Sequence, residues 1–138
     1  VTYVKGQNIT TMPILASGAP GTASQTIIKA NKVSGSAPGT LYLYLNTNAA
    51  NTTDALATSG AIKYAVCVGT CNAFTGNNVT TGTITSETQK TLYSGELPAS
   101  QTTYNVYFWL DGEIIDNDLL DTSYSGYISA EAKQTGAS

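Results

Sequence analysis

Charged residues are scarce in this sequence. Only 11% of its 138 residues are charged, and it contains no histidine and no arginine, whereas a typical domain has about 25% charged residues. Without histidine, the commonest general base and the Ser–His and Cys–His pairs of nucleophilic catalysis are missing. We therefore expect a protein that is not an enzyme.

Positive charge is too sparse for a nucleic-acid partner. Six lysines stand against nine acidic residues, which gives a net charge of −3. Neutralising phosphates requires clustered Lys or Arg, and so does binding to anionic membranes. No segment approaches the roughly 20 apolar residues of a membrane span. The start at Val1 rather than at Met favours a mature form whose signal peptide has been removed.

Only two cysteines occur, Cys67 and Cys71, in the segment CVGTC. A tight turn through Gly69 can bring their sulfurs together, so we predict a disulfide, with two free thiols as the alternative. Disulfides are typical of secreted proteins. A zinc site is not expected, because zinc needs about four nitrogen or sulfur ligands.

Two segments carry the clearest strand patterns. Thr40–Asn46 alternates leucines with Tyr42 and Tyr44, and Thr102–Leu110 alternates in the same way. The second strand carries Tyr107 and Trp109 on its other face, where we expect them to lie under a loop or under a neighbouring subunit. The predicted core-facing residues are Leu41, Leu43, Leu45, Tyr104, Val106, Phe108 and Leu110.

The rest of the chain predicts an all-β fold. Loops rich in Gly, Pro, Asn and Ser separate about seven to eight strands, a pattern typical of a jelly roll or β-sandwich. An immunoglobulin-like sandwich is the nearest alternative, but these cysteines are too close to bridge two sheets. We predict a single domain over residues 18–138, after an extended N-terminal segment at 1–17. The further strands are predicted at Ala23–Val33, Ala61–Val68, Lys90–Ser94 and Thr122–Gln134, with a weaker one within Asn72–Thr88.

The N-terminal segment has the composition of an edge strand. Pro13 lies inside it and cannot donate a ladder hydrogen bond. It is either an ordinary first strand or a donor strand that adds to the open sheet of a neighbouring subunit. The apolar residues that would fill the neighbour's pockets are Val1, Tyr3, Val4, Ile9, Met12, Ile14 and Leu15.

Five acidic residues follow the Trp-containing strand. Carboxylates at Asp116, Asp118 and Asp121, together with Asp111 or Glu113, are ligands of the type that Ca²⁺ prefers. The segment lacks the glycine and the final glutamate of an EF-hand. The alternative is a solvated acidic loop without a metal.

Two kinds of covalent modification are compatible with the sequence. Asn8, Asn51 and Asn78 each begin an N-x-[ST] glycosylation motif, and Asn51 and Asn78 lie in predicted loops. Lys29 and Lys63 lie in strand-like segments, where an isopeptide bond to an asparagine would neutralise a buried amine. No spacing selects a particular Lys–Asn pair.

The C-terminal third resembles a known family. The segment 102–134 contains Tyr104, Tyr107 and the Trp109-Leu110-Asp111 sequence, and it ends in SYSGYISAEAKQ. This resembles the end of the TasA–camelysin family of biofilm-matrix fibre proteins, and archaeal bundling pili are similar in design. The resemblance implies a jelly roll whose N-terminal strand is donated to the next subunit.

These observations favour a secreted, cell-surface subunit of a homopolymeric filament. An open-ended contact between identical subunits generates a filament rather than a closed ring. The first alternative is a carbohydrate-binding or adhesive β-sandwich module, in which exposed aromatic rings stack on sugars. The second is the jelly roll of a viral capsid.

Overall fold

A computed structural model describes residues 14–15, 24–30, 38–48, 52, 56, 58–85, 87–112 and 124–134. These residues are almost entirely β-structure, as the sequence predicts. The strands are β1 (Ile14–Leu15), β2 (Ser24–Ala30), β3 (Gly39–Thr47), β4 (Ile62–Val68), β5 (Val79–Thr83), β6 (Gln89–Glu96), β7 (Thr102–Asp111) and β8 (Gly126–Gln134).

The strands form two sheets of a β-sandwich. In the five-stranded sheet, β7 pairs with β4 on one side and with both β2 and β1 on the other, and β5 pairs with β4. In the three-stranded sheet, β3 lies between β6 and β8. All pairings are antiparallel except β1 with β7, which is parallel. The predicted all-β sandwich is confirmed.

The core lies between the sheets and follows from the two-residue period of the strands. Leucines of β3 and alternate residues of β7 point inward, as predicted, because every second side chain of a strand faces the same side. Burying these side chains contributes about 1.5–3 kcal/mol each to stability. The fully buried core residues of these two strands are Leu41, Leu43, Leu45, Val106 and, at 1–2% exposure, Phe108 and Tyr104.

A β-bulge interrupts the pairing of β6 with β3. The register between β3 and β6 shifts between Leu43 and Tyr44, so Leu43 faces Tyr93 but Tyr44 faces Thr91. A bulge of this kind puts an extra residue on one strand. Leu92, the extra residue, is buried, and Tyr93 packs against the same core.

Three glycines make room for tyrosine rings in the sandwich. A Cβ added to Gly82 would lie 2.5 Å from the Tyr64 hydroxyl oxygen, which no real side chain tolerates without a shift. Gly126 stands in the same relation to Tyr124, and Gly95 to Tyr93. Each tyrosine ring therefore occupies the space that a side chain at the glycine position would fill.

Two residues of the predicted N-terminal segment belong to the five-stranded sheet. Ile14 and Leu15 pair with Leu110 and Asp111 of β7. The other predicted donor residues, Val1, Tyr3, Val4, Ile9 and Met12, lie outside the described residues. The domain boundary near residue 17 and the donor-strand role stay predictions.

Candidate functional site

The outer face of the five-stranded sheet carries a second hydrophobic cluster. Tyr107 and Trp109 are only 5% and 9% exposed, and they pack with Ala65 and Cys67. They are covered by residues 69–78, here called the disulfide loop. Its Phe74 ring lies 5.1 Å from both the Trp109 and the Tyr107 ring centroids and is nearly parallel to the Trp109 ring.

Hydrogen bonds fix the disulfide loop to the sheet. The loop begins at Gly69, whose φ of 80° suits a glycine, and Gly69 N donates to Thr103 O at 2.7 Å. Asn105 Nδ2 donates to Gly69 O at 2.7 Å, and Gln25 Nε2 donates to Asn105 Oδ1 at 2.8 Å. The Cys67–Cys71 disulfide is formed, as predicted, with 6.0 Å between the two Cα atoms.

The disulfide loop determines the environment of Tyr107 and Trp109 on the outer face of the sheet. The sequence left open whether Tyr107 and Trp109 lie under a loop or under another subunit, and the structure covers them with the disulfide loop of the same chain. They are therefore not available as exposed sugar-stacking rings. The partner that sequence analysis missed is Phe74, a single apolar residue among Thr, Asn and Gly with no periodic pattern.

The outer face of the three-stranded sheet is different, because it is polar and open. Its side chains form what is called here the tyrosine face. Tyr42 and Tyr44 have ring planes within 2° of parallel and centroids 6.0 Å apart. Lys133 Nζ lies 5.2 Å from the Tyr42 ring centroid, and Tyr44 Oη donates to Glu131 Oε2 at 2.9 Å. Each tyrosine is thus held by a charged residue of β8.

This arrangement disfavours ionisation of Tyr44. Partial desolvation raises its pKa, and the hydrogen bond and negative charge of Glu131 raise it further. Tyr44 therefore stays a neutral hydrogen-bond donor on the tyrosine face.

A cavity of about 510 Å³ lies at one end of the tyrosine face. It is formed where β3 ends and β6 and β8 begin, and it is here called the end cavity. It combines three side-chain amides, three hydroxyls, a glycine and a tyrosine that is 40% exposed. The lining residues are Asn46, Thr47, Asn48, Thr88, Gln89, Ser125, Gly126 and Tyr127.

The walls of the end cavity are fixed by hydrogen bonds between the three strand ends. Thr47 N donates to Thr88 O, and Asn48 N donates to Ser125 O, both at 2.8 Å. Below them, Thr47 Oγ1 and the buried Tyr124 hydroxyl share a 2.9 Å hydrogen bond. The cavity is therefore preformed by the fold.

The side-chain amides of the end cavity are oriented by one another. Asn46 Nδ2 donates to Ser129 Oγ at 2.8 Å, and Asn46 Oδ1 accepts from Gln89 Nε2 at 3.0 Å. These contacts fix which way the Asn46 and Gln89 amides point. Because Gln89 donates through its nitrogen, its Oε1 is the acceptor that it presents to a ligand.

The other predicted sites are only partly within the described residues. Asp116, Asp118 and Asp121 lie outside them, as do Glu113, Asn8 and Asn51. In the described part of the chain, no three acidic or sulfur-containing residues form a group that could hold a metal. Calcium binding stays a prediction.

Asn78 and the two lysines lie in described strands and loops. Asn78 is exposed, and its amide donates to Val68 O at 3.2 Å, so one N–H is engaged and glycosylation there stays a prediction. Lys63 Nζ donates to Thr83 Oγ1 at 2.9 Å and Lys29 is exposed. Neither lysine is thus a buried amine that needs neutralisation by an isopeptide bond.

Among the described residues, no helix has the length and apolarity to cross a membrane. Comparison of the chain with protein-family models, with curated proteins and with solved structures found no match in any of the three. The resemblance of residues 102–134 to fibre proteins therefore rests on the sequence pattern alone.

Proposed function

We propose that the protein is a structural subunit of an extracellular filament. Each subunit inserts the residues that precede β1, within the predicted N-terminal segment 1–17, as a donor strand into the sheet of the next subunit. The contact is head to tail, so it repeats without closing.

The observation that carries the proposal is the limited room beside β7 on the side where β1 and β2 pair with it. In the register of β1, the residues that precede Ile14 would run back along Trp109 and Phe108. Ser24 of β2 already pairs with Phe108, and β2 occupies the edge from there to Thr102. A strand longer than β1 has no further place on this edge of its own subunit, whereas a neighbour's sheet edge offers main-chain hydrogen bonds over its whole length.

The sandwich supplies edges of the kind that accept a strand. Within the described residues, β2, β5, β6 and β8 each pair with one strand only. Unpaired N–H and C=O groups on such strands are templates for another chain. On β2, Ile27 is 48% exposed, which puts an apolar side chain beside one of these edges.

Composition and disulfide chemistry support an extracellular location. The Cys67–Cys71 disulfide requires an oxidising compartment to persist. A sequence with only 11% charged residues and a net charge of −3 gives weak repulsion between identical subunits. Both properties suit a secreted homopolymer.

Negative-stain electron microscopy tests the proposal. We expect filaments from the full chain and none from a variant that lacks residues 1–13, which retains β1. Ile9→Asp should also prevent filaments, because a charge would enter an apolar pocket. The matched control Thr10→Asp should not, because neighbouring side chains of a strand point to opposite faces. Circular dichroism checks that each variant is folded.

The outcomes separate the parts of the proposal. A folded full chain that stays monomeric would reject the filament. Filaments from the chain without residues 1–13 would keep the structural role and reject N-terminal donation. A synthetic peptide of residues 1–15 that binds the truncated chain in equimolar amounts would support donation directly.

A further inference from the structure

The end cavity has the chemistry of a site for a neutral polar ligand. Its lining contains amides, hydroxyls, a glycine and Tyr127, and it includes no acidic or basic side chain. A charged ligand would lack a counter-ion there, and a purely apolar ligand would cut off the polar groups of the lining from water without replacing its hydrogen bonds. The ligand should therefore be uncharged and should carry several hydroxyl groups, and a ring in it could stack on Tyr127.

We propose that the end cavity binds a neutral saccharide, one sugar ring of an oligosaccharide. The Tyr127 ring provides the stacking face, and the amides of Asn48 and Gln89 provide hydrogen bonds to hydroxyl groups. Asn46 donates to Ser129 Oγ and Tyr127 O, and contributes the second lone pair of its Oδ1. Side-chain amides suit this task because each carries donors and an acceptor in one plane, which matches neighbouring hydroxyls of a sugar.

The exposure of Tyr127 favours a stacking role. It is one of two large hydrophobic side chains that are exposed among the described residues, and the other, Ile27, lies on the opposite sheet. The face of an aromatic ring is electron-rich and attracts the polarised C–H groups of a partner. A tyrosine that lies beside fixed amides therefore provides the stacking surface of a sugar site, and the amides provide its hydrogen bonds.

The walls of the cavity favour binding at low entropic cost. The two backbone hydrogen bonds from Thr47 and Asn48 hold the strand ends, and Ser125 is held by a second contact: its N–H donates to Thr52 Oγ1 at 3.0 Å. Since Asn46 and Gln89 are also oriented, few side chains remain to be ordered by the ligand. Preformed polar groups of this kind confer specificity on a site.

Gly126 lets Tyr124 pack beneath the end cavity. A Cβ at this position would lie 2.9 Å from Asn46 O and 2.6 Å from the Tyr124 hydroxyl oxygen. The glycine therefore leaves room for the Tyr124 hydroxyl, whose hydrogen bond with Thr47 Oγ1 holds the cavity wall from below.

The inference goes beyond the filament and does not depend on it. Saturation-transfer difference NMR observes the ligand and works with monomers and with polymers alike. The probes are cellohexaose, xylohexaose, mannohexaose and chitohexaose, with oligogalacturonate as the anionic comparison. Isothermal titration calorimetry measures the affinity of any probe that binds.

We expect at least one neutral probe to bind and oligogalacturonate not to bind. Tyr127→Ala should weaken the affinity roughly tenfold, and Gln89→Ala should weaken it by a similar factor, because each removes one favourable contact. Tyr42→Ala is the matched control, a tyrosine on the same face but outside the cavity, and it should leave the affinity within about twofold.

Three results would overturn the inference. The first is the absence of a transfer signal from every neutral probe at millimolar concentration. The second is binding that Tyr127→Ala leaves unchanged. The third is equal weakening by Tyr42→Ala and Tyr127→Ala, since the ligand would then lie along the strands and not in the end cavity.

Discussion

Asn105 Nδ2 donates a 2.7 Å hydrogen bond to the carbonyl oxygen of Gly69 and so ties β7 to the disulfide loop. Asn105 is the buried polar residue of this face, at 7% exposure, and its own oxygen accepts from Gln25. One side chain thus connects the edge strand β2, the central strand β7 and the loop that covers the outer aromatic cluster.

Removal of this amide should destabilise the fold. We expect Asn105→Ala to lower the free energy of unfolding by about 1–3 kcal/mol, because Gly69 O and the Gln25 amide lose their partner in a nearly dry environment. Urea denaturation followed by circular dichroism measures the change. Asn72→Ala, at an exposed position of the same loop, serves as the control and should change stability by less than about 0.5 kcal/mol.

Reduction of the Cys67–Cys71 disulfide should expose the outer aromatic cluster. The chain-entropy relation gives a loss of about 2 kcal/mol for a loop this short. Trp109 is the one tryptophan of the sequence, so its fluorescence reports on the disulfide loop alone. We expect a red shift and faster acrylamide quenching after reduction, and the same change in the Cys67→Ala/Cys71→Ala variant. Unchanged Trp109 emission would mean that Phe74 and Asn105 hold the loop without the disulfide.

Stability should fall in alkaline solution. The pKa of Tyr104 is raised from 10 to about 12, mainly because its hydroxyl is buried. The negative charge of an ionised Tyr93 and the hydrogen bond between the two tyrosines raise it further. Burial also raises the pKa of Tyr64 and of Tyr124. A group whose pKa is higher in the folded state holds its proton more tightly there, so its contribution is complete below the unfolded pKa and is lost as the pH rises through the folded value.

The free energy of unfolding should therefore be insensitive to tyrosine ionisation up to about pH 9 and decline between about pH 10 and 12. Denaturation series at fixed pH values measure this curve, and absorbance at 295 nm follows tyrosinate formation. Tyr104→Phe should make the decline shallower. A decline that begins near neutral pH would point to a different group.

The contact of Tyr64 with Gly82 predicts the effect of a single methyl group. Gly82→Ala would place a Cβ against the buried Tyr64 ring, and overpacking of this kind costs about 1–3 kcal/mol. Thr81→Ala, at the exposed neighbouring position of β5, is the control. Thermal unfolding of both variants checks the prediction, which fails if Gly82→Ala is as stable as the parent.

Periodicity explains why much of the fold was predictable. Leu41, Leu43 and Leu45 alternate without interruption, and a strand with one buried face dictates that pattern. The same holds for Tyr104, Val106 and Phe108. The strand predicted at Thr122–Gln134 corresponds to β8, which begins at Gly126. Tyr124 continues the alternation and is buried, but its backbone is not in the sheet.

The sites were less predictable because they depend on contacts between distant segments. The sequence placed Tyr107 and Trp109 on the outer face but did not reveal that Phe74 covers them, since a single ring in a polar loop has no period. The end cavity is lined by the end of β3 and the beginnings of β6 and β8. These segments are far apart in the sequence, so no local sequence pattern predicts that they lie together. The bulge opposite Leu43 was not predicted either, because it depends on how β6 pairs with a strand more than 40 residues away in the sequence.

The position of β7 determines the order in which the chain can fold. Both β2 and β4 pair with β7, and β3 pairs with β8, so each of these strands has a partner encoded more than 35 residues later, although β4 also has a near partner in β5. Such distant pairings form slowly because long loops must close first. During synthesis, the first hundred residues lack β7, the strand with which both β2 and β4 pair. Neither sheet can be completed before the C-terminal third is made, so the N-terminal two-thirds alone should not adopt the sandwich fold.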